Sequence, residues 1–164
     1  MKKVIFVLAA ALSATPVQAT TPAQLTQART YVESIYREVT SDSGPPFFDF
    51  RSVRYAPQLR GLIARDYARM RASGDAVIDY VPFCECQDIV QRRDVTVRSV
   101  TAIGPSGANV SVIIRRGRKS DLFEIKLLLI GNRWYVSDVL MPSQGSLVSF
   151  LQRGLQRQEK RRRE

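Results

Sequence analysis

The amino-acid sequence predicts an α+β fold, in which N-terminal helices pack on a curved four-stranded antiparallel meander and a C-terminal helix follows. Two observations predict this class. Apolar residues recur three or four positions apart near both ends of the chain, which is the period of an amphipathic helix. Between residues 94 and 140 they alternate instead, and the turns between these stretches are too short for the crossovers that parallel strands need.

The helical period and the flanking residues place three helices. The first spans about residues 22–39, with Thr21 and Pro22 as its cap and first turn. The second runs from about residue 52 or 57 to Met70, and its apolar stripe is Leu59, Leu62, Ile63, Tyr67 and Met70. The last helix begins after Ser146, whose side chain is a favourable cap.

The alternating period places four strands, at residues 94–103, 108–116, 121–130 and 133–140. Each pair is joined by a short turn that contains glycine, and Gly131-Asn132 is a two-residue hairpin signal. Sequential strands joined in this way form an antiparallel meander.

The first residues have the pattern of a cleavable secretory signal. Lys2 and Lys3 precede an uncharged apolar run, and Val17 and Ala19 supply small residues at the −3 and −1 positions of a cleavage site. The run of about eleven residues is too short for a transmembrane helix, which needs roughly twenty. We therefore expect residues 1–19 to be a signal peptide, and the mature chain to be periplasmic or secreted without a transmembrane segment.

The remaining chain has the size of one ordinary domain. We expect a single domain over residues 20–152 and a basic C-terminal tail over residues 153–164. The whole chain has a formal net charge of +10, and the loss of Lys2 and Lys3 with the signal leaves +8. A basic protein of this kind either has a solvated basic surface or associates with anionic surfaces. We do not expect nucleic acid as the partner, because an exported chain without base-stacking aromatics among its basic residues lacks the usual platform.

The chain contains no histidine. This excludes Ser-His-Asp and Cys-His nucleophilic arrangements, most transition-metal sites and imidazole-based pH switches. We expect no cofactor and no metal. Carboxylates, lysine, tyrosine or cysteine remain the available catalytic groups.

The two cysteines, Cys84 and Cys86, are the most distinctive pair of residues, and several interpretations stay open. In an extended backbone, residues two apart point to the same side, with alpha carbons near the upper limit for a disulfide. Four interpretations are compatible with the pair: a structural role in a loop, either bridged or packed in the core; a reducible redox element; a copper(I) site with both thiolates on one ion; or intermolecular bridges.

Three motifs resemble those of an uncharacterised family of exported bacterial proteins, a domain of unknown function with a nuclear-transport-factor-two-like (cystatin-like cone) fold. They are Tyr55-Ala-Pro-Gln-Leu-Arg-Gly-Leu-Ile63, Phe83-Cys-Glu-Cys-Gln-Asp88 and Arg133-Trp-Tyr-Val-Ser-Asp138. The resemblance covers nearly all of the mature chain. It implies a conical half-barrel with a pocket between the first helices and the concave sheet face, in a superfamily that contains both enzymes and binding modules.

The candidate binding residues are Tyr55, Trp134, Asp138 and Asp88. Alternation in the last strand puts Trp134, Val136 and Asp138 on one face of the sheet, and the residues between them on the other. The cone resemblance implies that an acidic residue on the concave face serves as a general acid or base. The alternative is that Asp138 ends its strand or caps a neighbouring element.

Three functions are compatible with these residues. The leading hypothesis is an exported, non-catalytic binding module for an unknown small ligand or protein. An alternative is a small pocket enzyme that uses the carboxylates of Asp138 and Asp88. Another is an envelope-associated factor whose basic tail binds an anionic surface.

Overall fold

The structure, a computed structural model, describes residues 19–40, 53–87 and 94–164. Its elements in chain order are α1 (Pro22–Val39), α2 (Pro57–Ser73), β1 (Val95–Ile103), β2 (Gly107–Arg116), β3 (Lys119–Ile130), β4 (Arg133–Met141), β5 (Gly145–Ser146) and α3 (Leu147–Arg161). The α+β class and the order of its elements are confirmed. Across these described ranges, none of the helices combines the length and the apolar character that crossing a bilayer requires.

Capping residues fix the starts of α1 and α3 and the end of α2. Thr21 and Gln24 form a reciprocal capping box at the start of α1, so two backbone N–H groups that the helix leaves unpaired gain partners. Ser146 caps α3 by accepting a hydrogen bond from the backbone N–H of Ser149 at 3.2 Å. Helix α2 ends at Gly74, which adopts the left-handed conformation that glycine tolerates.

The sheet is antiparallel throughout, with the strands in the order β1-β2-β3-β4-β5. The prediction of four strands was one too few. After Met141 the chain turns back, and Gly145 and Ser146 pair with Met141 and Leu140 before α3 begins. A two-residue strand carries no periodic signal, because alternation needs a longer run to be visible.

The core lies between one face of the sheet and the three helices. Helix α1 packs on β1, β2 and β4, while α2 packs on β4 and on α3. The inward side chains of the central strands are fully buried: Val110, Val112, Ile114, Phe123 and Ile125. In α2, Leu59, Leu62 and Ile63 are buried as predicted. Met70, the last residue of the predicted stripe, is 40% exposed, whereas Asp66, which the prediction did not include, is buried.

Candidate functional site

Trp134 and Tyr55 are both part of the core, Trp134 in β4 and Tyr55 in the segment that precedes α2. The Trp134 side chain is 3% exposed, and its indole Nε1 donates a hydrogen bond to the carbonyl oxygen of Gln24 at 3.0 Å. Tyr55 is buried in a short segment that runs parallel to β4, where the N–H of Ala56 donates to the carbonyl of Val136 at 2.8 Å. The Trp134 side chain thus links α1 to the sheet, and the backbone next to Tyr55 links the start of α2 to β4.

The alternation predicted for β4 breaks at Ser137. Lys126 pairs with Asp138 but Leu127 pairs with Val136, so Ser137 is one extra residue in β4, a β-bulge. An extra residue moves every later side chain to the opposite face. Asp138 consequently does not share the inward face with Trp134, and Val139 takes the buried position instead.

The Asp138 carboxylate caps α3. Its Oδ1 accepts hydrogen bonds from the backbone N–H groups of Val139 at 2.9 Å and Val148 at 3.1 Å. Its Oδ2 accepts from the hydroxyl of Ser146, the N-cap residue, at 2.7 Å. A carboxylate beside a helix N-terminus satisfies unpaired N–H groups and interacts favourably with the helix dipole. Of the two roles considered for Asp138, the geometry supports the cap.

Asp88 lies outside the described residues, so its distance from Asp138 is not defined. Within the described ranges, no group of three or more cysteine, aspartate or glutamate side chains could hold a metal ion. Of the two carboxylates in the enzyme hypothesis, only Asp138 lies in the described residues, and it caps α3.

Cys84 and Cys86 lie at disulfide-bonding distance in a tight turn. Their alpha carbons are 5.1 Å apart, shorter than in the extended backbone considered above, because Glu85 between them adopts a left-handed conformation with φ of +45°. The N–H of Val81 donates to the carbonyl of Cys86 at 2.9 Å and closes the turn. Cys84 is fully buried, whereas Cys86 is partly exposed.

The cysteine loop, residues 81–87, is anchored to three different elements. The hydroxyl of Tyr36 in α1 donates to the carbonyl of Phe83 at 2.8 Å, and the guanidinium of Arg116 in β2 donates to the carbonyl of Cys84. The carboxylate of Glu85 accepts from the backbone N–H of Ser143, between β4 and β5, at 3.2 Å. Such anchoring agrees with a structural role for the cysteine pair.

Three tyrosines beside the core have raised pKa values. Burial raises the pKa of Tyr36 far above its ordinary value of 10.0. Burial, with the nearby carboxylates of Glu85 and Asp79, raises the pKa of Tyr80 to about 12. Burial also raises the pKa of Tyr31, although the Arg54 cation 4.3 Å above its ring acts in the opposite direction. In each case the neutral phenol is favoured.

The exposed side of α3 carries a row of cations. Leu147, Leu151 and Leu155 face the core, and Arg153 and Arg157, one turn apart, face solvent. In the part of the chain that the structure describes, neither arginine has an ion-pair or hydrogen-bond partner for its guanidinium. Helix α3 continues to Arg161, so the segment from residue 153 onward begins as packed helix, with Gly154 and Leu155 buried.

A groove of about 360 Å³ lies where the C-terminal ends of α2 and α3 meet. It is lined by Arg69, Asp75, Gln158, Arg161 and Arg162, among others. Arg69 is held in place because its guanidinium donates to the Gln158 side chain at 3.2 Å and lies 3.6 Å from the Glu159 carboxylate. The side chains of Arg161 and Arg162 have no such partner among the described residues.

The groove was not foreseen from the sequence, although Gln158, Arg161 and Arg162 lie in the charge run at the C-terminus. Arg69 and Arg161 are distant in sequence and meet because α2 packs on α3. One local signal did exist. Gly154 in mid-helix lets Val77 approach α3 so closely that an added Cβ would lie 2.3 Å from a Val77 methyl carbon. A glycine inside an apolar helix stripe often marks such a close approach.

The chain matches no protein-family model, and a search of curated proteins finds no significant match.

Proposed function

We propose that this protein is an exported, non-catalytic binding protein that attaches to anionic surfaces of the cell envelope through α3 and the groove at its C-terminal end. The observation that carries the proposal is a set of cations that have no partner among the described residues. Arg153 and Arg157 lie on the exposed face of α3, and Arg161 and Arg162 lie in the groove. Basic residues near an anionic membrane contribute about 1 kcal/mol each to binding. Export, a periplasmic or secreted location and the cone-fold family resemblance remain parts of the same proposal.

A binding role is favoured over catalysis by the use that the fold makes of its candidate residues. The Asp138 carboxylate accepts three hydrogen bonds around the start of α3, which leaves it poorly placed as a general base. The inward sheet face is filled by fully buried aliphatic and aromatic side chains. The arginines of α3 that have no ion-pair partner among the described residues lie instead on exposed surface, where an anionic partner can reach them.

Vesicle binding tests the proposed surface. The mature chain is mixed with phosphatidylcholine vesicles, with or without phosphatidylglycerol, and the bound fraction is measured by sedimentation at low and high salt. We expect binding only to the anionic vesicles and weaker binding at high salt, because salt screens exposed charges. The double variant Arg153→Gln/Arg157→Gln should bind about thirtyfold more weakly, from about 1 kcal/mol per lost charge.

A matched control removes the same charge elsewhere. Arg115, near the end of β2, and Arg118, in the turn that follows, are exposed and far in sequence from α3. We expect Arg115→Gln/Arg118→Gln to bind the anionic vesicles within about twofold of the unchanged protein. Equal binding to neutral and anionic vesicles, or equal losses in the two double variants, would overturn the proposed surface.

A further inference from the structure

We propose that the groove between the ends of α2 and α3 is a binding site for a phosphate group, held by Arg161 and Arg162 with Arg69 at its wall. The site belongs to the surface proposed above and rests on that function. Phosphate is the chemistry shared by a phospholipid headgroup and a free phosphoester, and both sources are compared below.

The three arginines have different electrostatic states. The Arg69 charge is offset by Glu159 at 3.6 Å, and its side chain is only 18% exposed, so it is an ordered part of the wall. Arg161 is the last residue of α3 and Arg162 its C-cap, and among the described residues neither is paired with a carboxylate. The groove thus contains two uncompensated guanidinium groups on adjacent residues.

Guanidinium groups match phosphate in geometry as well as charge. Each presents a planar pair of N–H donors that can bond two phosphate oxygens at once, and such charge-assisted bonds are stronger than neutral ones. A volume of about 360 Å³ is at the lower end of the range for small-ligand pockets, so it accommodates a headgroup-sized molecule.

Two other features of the groove weaken its attraction for an anion. Both α2 and α3 end there, and helix C-termini carry partial negative charge. Asp75 also lines the groove. The backbone therefore does not attract the anion, and binding depends on the side chains of Arg161 and Arg162.

Titration with inorganic phosphate at constant ionic strength tests the site directly, followed by the backbone amide NMR signals of residues 73–76 and 156–162. We expect saturable shifts in both segments. Arg161→Gln/Arg162→Gln should weaken phosphate binding about tenfold or more, because charge-assisted hydrogen bonds are lost. Asp75→Asn should strengthen binding, an effect in the opposite direction that a damaged fold would not produce.

The variant Arg115→Gln/Arg118→Gln is the matched control, since it removes two exposed charges that lie outside both the groove and the proposed surface. It should leave phosphate binding within about twofold. If Arg161→Gln/Arg162→Gln and the control variant weaken phosphate binding equally, or if the NMR shifts do not saturate, the groove is not a phosphate site. The proposed surface binding would still stand on its own vesicle result.

The groove variant Arg161→Gln/Arg162→Gln and the face variant Arg153→Gln/Arg157→Gln together distinguish the two sources of phosphate. If the ligand is a lipid headgroup, the groove variant should also lose more phosphatidylglycerol-vesicle binding than the face variant. If it is a free phosphoester, the groove variant should lose phosphate binding while its vesicle binding falls no further than that of the face variant. A groove variant that binds both probes normally would overturn the site.

Discussion

Ser137 changes the role of its neighbour Asp138 through its place in the strand. As an extra residue in β4, it turns Asp138 away from the inward face, where simple alternation would put it beside Trp134. The carboxylate then lies next to the start of α3 and accepts from Val148 and Ser146. Bulges often redirect one side chain in this way, and here the redirected side chain links the sheet to the last helix.

Replacing glycine by alanine is expected to change the stability of the protein in opposite directions at Gly154 and Gly61. An added Cβ at Gly154 would lie 2.3 Å from Val77, whereas at Gly61 nothing lies within 4 Å. We expect Gly154→Ala to destabilise the protein by about 1–3 kcal/mol through overpacking. We expect Gly61→Ala to stabilise it by about 0.5–1 kcal/mol, because alanine loses less conformational entropy in a helix.

Urea unfolding of both variants measures these free energies, and Gly61→Ala is the internal control for helix propensity. If Gly154→Ala were as stable as Gly61→Ala, the close approach of Val77 to α3 would be wrong. The double variant Val77→Ala/Gly154→Ala should recover part of the loss, because it removes the methyl carbons that the new Cβ would meet.

At the scale of elements, the cysteine loop joins α1, β2 and the β4–β5 turn by its hydrogen bonds. We expect Cys84→Ala/Cys86→Ala to lower the free energy of unfolding by about 1–2 kcal/mol. The effect is modest because a bridge that closes so short a loop removes little entropy from the unfolded chain. Chemical unfolding with and without reductant measures it, and reductant should not destabilise the variant further.

Intact mass after alkylation provides the complementary measurement. In the protein purified from the periplasm, two alkyl groups should add only after reduction, at the mass expected for cleavage after Ala19. Alkylation of both thiols without reduction would contradict the bridge and would make a metal titration the next step. A mass that retains residues 1–19 would contradict export by a cleaved signal.

At the scale of the whole molecule, three buried or half-buried phenols, two in α1 and one in the segment before the cysteine loop, predict alkaline instability. Tyr80 has a pKa of about 12 in the folded protein, against 10.0 for the ordinary phenol, and the pKa values of Tyr36 and Tyr31 are also raised. In the unfolded chain these groups ionise first. Their contribution is therefore fully present below pH 10 and is lost as the pH rises from 10 towards 12 and above.

Urea unfolding across this pH range, with tyrosinate absorbance as a second readout, measures the effect. The variant Tyr80→Phe should show a shallower loss of stability between pH 10 and about 12, because one of the linked groups is gone. Full tyrosinate absorbance near pH 10 in the folded protein would contradict the burial of these phenols.

The structure agrees with the sequence for most elements whose signal is local and periodic. Helix α1 has the predicted bounds because its capping box and its apolar spacing both lie within the segment itself. The four long strands were predicted within a few residues, and Ser146 was predicted as the cap of α3. The strand β5, the bulge at Ser137 and the left-handed Glu85 were not predicted, since each depends on a neighbouring element.

The same contrast between local signals and contacts of distant segments holds for the candidate site. By itself the sequence determined the α+β class, the cysteine pair and the excess of arginine on the chain. Only the tertiary structure decided that Asp138 caps α3, that Trp134 and Tyr55 belong to the core, and that Arg69, Arg161 and Arg162 share one groove. The physical reason is that periodicity reports how a segment meets solvent and core, whereas a site is made by contacts between segments that are distant in sequence.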